Sequence, residues 1–110
     1  MTTSLYGEAI DYRPNENVDA GDVIVQGSLV GVARSYIKAG TIGSLAVVGV
    51  FDAPKAFGEI AVGTPLYWDA ENKQASVTQS GKQYIGKSVA FAADNDKVVR
   101  FLLNAPYIAV

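Results

Sequence analysis

The chain has 110 residues, 49% of them hydrophobic, with nine Lys or Arg against eleven Asp or Glu and a formal charge of −2. That suits one domain whose apolar residues suffice for a core. It contains neither cysteine nor histidine, which excludes disulfides, thiolate nucleophiles, Ser–His relays and the commonest nitrogen and sulfur metal ligands. No run of Lys or Arg would track a phosphate backbone, so nothing points to direct nucleic-acid binding. The longest uncharged apolar run, 42–51, is about half of the ~20 residues that a membrane helix needs. Residues 1–8 lack the basic and apolar regions of a signal peptide.

In chain order, residues 1–17 read as an extended N-terminal arm. Arg13-Pro14-Asn15-Glu16-Asn17 is polar and breaks strands, yet Leu5, Tyr6, Ile10 and Tyr12 come before it. Apolar side chains on an arm need a partner, which makes these four candidate interface residues. The alternative is that the arm adds an edge strand to its own sheet. Residues 18–104 then carry a β rhythm, with Val, Ile, Thr, Tyr and Phe between evenly spread glycines. Strands are expected over 22–26, 29–33, 44–51, 65–68, 74–78, 84–92 and 97–103. In the last of these, Val99, Phe101 and Leu103 face one way, while Val98, Arg100 and Leu102 face a wetter side. Helical potential is confined to 54–61, where Gly58 limits it to one turn. Residues 105–110 form a short apolar tail in which Pro106 removes a backbone donor. The pattern predicts an all-β fold, a small compact β-barrel or sandwich with an extended arm and at most one short helical turn. Residues 29–33 and 84–90 rhyme as glycine-interrupted strands, either a repeated hairpin element or a habit of composition.

The sharpest motif is Gly81-Lys82-Gln83-Tyr84-Ile85-Gly86-Lys87-Ser88, which matches the phosphate-binding pattern G-x-x-x-x-G-K-S. Such a loop needs a buried strand before it and a helix after it, inside a parallel α/β sheet. Here Val89-Ala90-Phe91-Ala92-Ala93 follows, which is short and β-prone. A hairpin turn at Gly81-Lys82, with Lys87 on the wet face of the next strand, is the expected structure. Asp94-Asn95-Asp96 starts like a calcium loop but has Val99 where glycine is required and Ala105 where the closing glutamate belongs. No catalytic residue, metal or cofactor is expected. Tyr67 and Trp68 are adjacent on a strand and should point to opposite faces, so one of them is a further interface candidate. If both anchor a two-layer core, neither is.

Taken in order, several pieces resemble a known family. They include Val18-Asp19-Ala20-Gly21-Asp22-Val23, Gly49-Val50-Phe51-Asp52-Ala53-Pro54-Lys55, Gly63-Thr64-Pro65-Leu66-Tyr67-Trp68-Asp69 and Val99-Arg100-Phe101-Leu102-Leu103-Asn104. Their order is similar to that of the bacteriophage capsid decoration, or cement, proteins, some of which carry the label of phage recombinase. The resemblance runs from about Gly7 to Asn104. It implies a non-enzymatic β domain made in the bacterial host cytoplasm and carried on the outer surface of the virion head. There it would bind the major capsid protein as a homotrimer, bridge capsid subunits and stabilise the shell. Rival readings are a tail-tube or head–tail connector subunit, a nucleotide-dependent factor using 81–88, and a soluble ligand-binding β module using Tyr67 and Trp68.

Overall fold

A computed structural model describes residues 9–106. It is all-β, with two antiparallel sheets. The chain divides into two units, Met1–Gly49 and Val50–Val110. Among the described residues there is no helix, so none is long and apolar enough to cross a membrane. Residues 54–61 form the end of a strand, a bridge at Lys55, a bend and a second bridge at Ile60.

In the first unit, β1 (Ala9–Tyr12), β2 (Val23–Gln26), β3 (Leu29–Ala33) and β4 (Gly43–Ala46) pair in the order β1-β4-β3-β2. Buried Val18, Ala33, Ile37 and Leu45 form its core, with Ile10, Tyr12 and Ile24 packed against them. The segment expected to be an arm therefore supplies an edge strand over Ala9–Tyr12, paired residue by residue with β4. Its alternating Ile10 and Tyr12 are what a strand with one buried face requires.

The second unit contains β5 (Gly49–Pro54), β6 (Pro65–Asp69), β7 (Gln74–Ser76), β8 (Gln83–Ser88) and β9 (Val98–Leu103), ordered β5-β9-β8-β6-β7. A single parallel bridge, Lys55↔Ala75, joins the two edges. One bridge is not a ladder, so the sheet curls without closing into a barrel. Along β9, Val99, Phe101 and Leu103 are buried while Val98, Arg100 and Leu102 are exposed, the alternation read from the sequence. The expected single strand over 44–51 is two strands, because the chain leaves the first sheet after Ala46 and enters the second at Gly49. An unbroken apolar run cannot distinguish these cases. The strand expected over 84–92 stops at Ser88, where the chain turns out to an exposed tip before Ala92 bridges Ile60.

The two units repeat one module. Strands β1, β4, β3 and β2 correspond in pairing order to β5, β9, β8 and β6, with β7 as an addition. The registers agree: Val23↔Val32 and Ile24↔Gly31 match Pro65↔Lys87 and Leu66↔Gly86. Likewise Ala33↔Leu45 matches Ser88↔Phe101. An isolated bridge pins each copy, Val18↔Ile37 in the first and Ile60↔Ala92 in the second. Gly31 and Gly86 thus occupy one position, and both are there because the neighbouring strand leaves no room for a side chain. A Cβ at Gly31 would lie 2.9 Å from Leu45 Cβ, and one at Gly86 would meet the Leu102 carbonyl oxygen. The rhyme between 29–33 and 84–90 is the trace of this repeat.

Candidate functional site

The phosphate-loop look-alike lies on an antiparallel strand. Gln83–Ser88 is β8, laddered to β6 on one side and β9 on the other. Ser88 is buried, its hydroxyl donating to Ala61 O at 2.6 Å and accepting from the Thr64 N–H at 3.0 Å. Lys87 sits in the ladder opposite Pro65 and Leu102. A phosphate cradle needs a loop whose N–H groups converge, and an extended strand points them alternately to its two neighbours. The nucleotide reading therefore loses its geometric basis.

The acidic turns serve the backbone in the same way. Asp22 Oδ2 accepts from the Asp19 N–H at 3.0 Å, and Asp96 Oδ2 accepts from the Ala93 N–H at 2.8 Å. Asp69 accepts from the N–H groups of Glu71 and Asn72 and from the Asn72 side-chain amide. Those Asn72 bonds hold the Asp69 carboxyl below the ordinary aspartate range, helped by the charge of Lys82. Asp69 makes an Asx turn, accepting from the residues that follow it, while Asp22 and Asp96 reach back to an N–H three residues earlier; in each a short side chain replaces a backbone partner.

Lys55 is a polar residue whose burial its residue type does not foretell. It is buried, and its Nζ donates to the carbonyl oxygens of Ala93 (3.1 Å), Asp94 (3.4 Å) and Asp96 (3.1 Å). An ammonium has three donors, and here each finds a carbonyl of one turn. Arg100 pairs with Asp52 across β9 and β5, Nε to Oδ1 at 2.9 Å, on the exposed face of the sheet. The ion pair raises the arginine's already high pKa. Asn104 takes a left-handed φ of 57°, which Asn tolerates better than most residues, and its N–H donates to Ile85 O. Lys55, Arg100 and Asn104, all residues of the family-like motifs, thus hold turns and strand pairs together.

The expected interface residues fare unevenly. Leu5 and Tyr6 lie outside the described residues. Ile10 and Tyr12 are half-buried against the core of their own unit. Tyr67 is buried and meets Tyr84 edge to face, with ring centroids 5.8 Å apart, while Trp68 is half-buried. Leu66 and Tyr67 are both buried although adjacent, because the register shifts between them. The shift lies before Tyr67, so Tyr67 and Trp68 themselves keep the alternation, one ring buried and the other half-buried.

Sequence reasoning missed three exposed aromatics, Phe57 at 82%, Phe91 at 58% and Tyr36 at 56%. Phe57 borders a cleft of ≈ 210 Å³ between residues 56–60 and 75–78. That volume falls short of the roughly 300–1,000 Å³ of ordinary ligand pockets, which weighs against a small-molecule site. Nothing in the sequence separates these rings from core aromatics, since each stands in a short loop without periodicity.

No curated protein and no solved structure matches the chain. A model of the phage cement proteins does match it, over residues 6–103. The chain belongs to the phage cement protein family, and with it to the proteins associated with phage capsids.

Proposed function

We propose that this chain is a non-enzymatic virion protein that binds the outer surface of the head. It reinforces the shell there by bridging copies of the major capsid protein, as a homotrimer. The family match over residues 6–103 carries the reading. The chemistry of the surface supports it. Ser88 of the phosphate-loop look-alike and Asp96 of the calcium-loop look-alike are engaged in internal hydrogen bonds. Exposed aromatic rings stand instead at the surface, and aromatics are what protein interfaces use most. Weak contacts repeated over a symmetric shell add up through multivalency. Leu5, Tyr6 and the half-exposed Trp68 remain proposed contacts of the same kind.

The test is the amount of this protein in purified virions, together with the heat resistance of heads made without it. A copy number near that of the major capsid protein, with heads that rupture at lower temperature in its absence, is expected. Absence from virions, or the low copy number of a connector, overturns the reading. The trimer is checked by light scattering of protein released from heads, where a stable dimer would exclude it.

A further inference from the structure

The repeated module presents one feature twice at its surface. In the first unit Arg34-Ser35-Tyr36 forms an exposed tip between buried Ala33 and Ile37; in the second, Val89-Ala90-Phe91 forms one between buried Ser88 and Ala92. Matched backbone hydrogen bonds clamp both tips. On one side Gly21 N–H donates to Ala33 O and Ala33 N–H to Asp22 O, just as Gly63 N–H donates to Ser88 O and Ser88 N–H to Thr64 O. On the other side Ile37 exchanges both bonds with Val18, and Ala92 exchanges both with Ile60. Even the first tip residue is held alike, Arg34 N–H by Ser44 O and Val89 N–H by Arg100 O. Each tip ends in an aromatic ring more than half exposed, Tyr36 at 56% and Phe91 at 58%.

An exposed ring on a backbone fixed at both ends is a preorganised anchor. It offers a large apolar contact, while little conformational entropy remains to be lost on docking. Finding the same anchor at the same register position of both units constrains the partner. A partner with a single pocket would use one tip and leave the other ring exposed without reason. A surface built from identical subunits offers the same pocket repeatedly and can receive both.

We propose that Tyr36 and Phe91 are paired anchors, one per repeat, that enter equivalent apolar pockets on two copies of one shell subunit. This rests on the capsid reading above and gives it a binding surface. Arg34, two residues before Tyr36, against Val89 at the matching place before Phe91, makes the first anchor the more salt-sensitive of the two.

The test uses the full-length protein and purified heads that lack it, with occupancy measured against protein concentration. Tyr36→Ala and Phe91→Ala should each weaken binding by about ten-fold or more, and the double variant by clearly more than either. Tyr36→Phe should bind like wild type. All four should melt with the wild type, because the rings are exposed. The proposal is overturned if both single variants decorate heads normally, or if one ring carries the whole effect and the other none. It is equally overturned if the substitutions alter self-association of the free protein while leaving occupancy unchanged, since the rings would then contact a second copy of this chain. Wild-type protein that fails to bind heads at all brings down the capsid reading, and this one with it.

Discussion

Arg13 and Lys55 hold the same place in the two repeats. Each lies five residues before a bridge residue, Val18 or Ile60, and each donates to the turn that follows the opposite bridge residue. Arg13 Nη1 reaches Gly40 O at 2.7 Å from an exposed position, while Lys55 is buried with three carbonyl partners. One cationic strut is used twice, at different depths.

The difference in depth makes the first prediction. Lys55→Met keeps the length of the side chain but removes the Nζ donor from three carbonyls of the 93–96 turn, of which Ala93 O and Asp94 O keep backbone partners in the Asp96 and Gly58 N–H groups. Stability of the second unit should fall by about 2–4 kcal/mol in denaturant titration. Arg13→Ala should cost less than about 1 kcal/mol, since water replaces the lost donor. Equal losses at the two positions would refute the asymmetry.

Gly31 and Gly86 give a second matched pair. Gly86 has φ +149° and faces the Leu102 carbonyl, so Gly86→Ala adds backbone strain to a clash with an atom that cannot move aside. A loss of about 3 kcal/mol or more is expected. At Gly31 a Cβ would meet Leu45 Cβ at 2.9 Å and the Ala46 carbonyl oxygen at 3.1 Å without positive-φ strain, so Gly31→Ala should cost less, about 1–3 kcal/mol. Thermal melts of the two variants order them; the reverse order would contradict the packing described.

Much of this was legible in advance, and the failures have definite causes. The strand from Val98, with its inward and outward faces, follows from alternation alone, whereas the strand from Leu29, buried from Val30 to Ala33, follows only from its apolar, β-prone run. The repeat was visible only as a rhyme around Gly31 and Gly86, because β7 separates the hairpin partners in the second copy and core residues such as Leu45 and Phe101 differ in kind. Lys55 gave no signal, since a lone lysine after proline is normally a surface residue. The burial of Leu66 next to buried Tyr67 was not legible, because the register shift between them is invisible in residue types. Tyr36 and Phe91 become interpretable only once bridges and registers show that they are the same residue of a repeated unit.

The third prediction separates the two ends of the phosphate-loop look-alike. Ser88→Ala removes a buried hydroxyl that both donates and accepts, and should cost about 1–3 kcal/mol. Lys87→Ala should change stability by less than about 0.5 kcal/mol. Calorimetry with ATP or GTP, with and without magnesium, should show no binding. Micromolar binding abolished by Lys87→Ala would restore the nucleotide reading.

Acid titration probes the turn at Asp69. Its carboxyl is held low chiefly by the Asn72 side chain and N–H. A depressed folded-state pKa means that the contribution to stability is complete above the ordinary aspartate value and is lost as pH falls through the folded value. NMR titration should find Asp69 below the ordinary range in the wild type and shifted upward in Asn72→Ala. An unchanged value would assign the shift to the backbone N–H groups of Asn72 and Glu71 and to Lys82 rather than to the Asn72 side chain.

The last prediction divides the N-terminal segment at Ala9. Two properties first assigned to one arm now belong to different stretches. Residues 9–12 pair with Gly43–Ala46, and Ile10 and Tyr12 cover the core of Val18, Ala33, Ile37 and Leu45. Leu5 and Tyr6 precede that ladder and are the proposed contacts with the shell. Deleting residues 2–8 should therefore leave the melting temperature of the free protein near that of the wild type while lowering head occupancy. Deleting residues 2–13 should do more. It strips the edge strand from β4, exposes apolar surface worth roughly 1.5–3 kcal/mol for each large side chain once covered, and removes Arg13 from Gly40. The longer deletion should unfold the first unit at markedly lower denaturant, whatever it does to binding. If the shorter deletion decorates heads normally, Leu5 and Tyr6 are not contacts, and shell binding must come from residues within the two units.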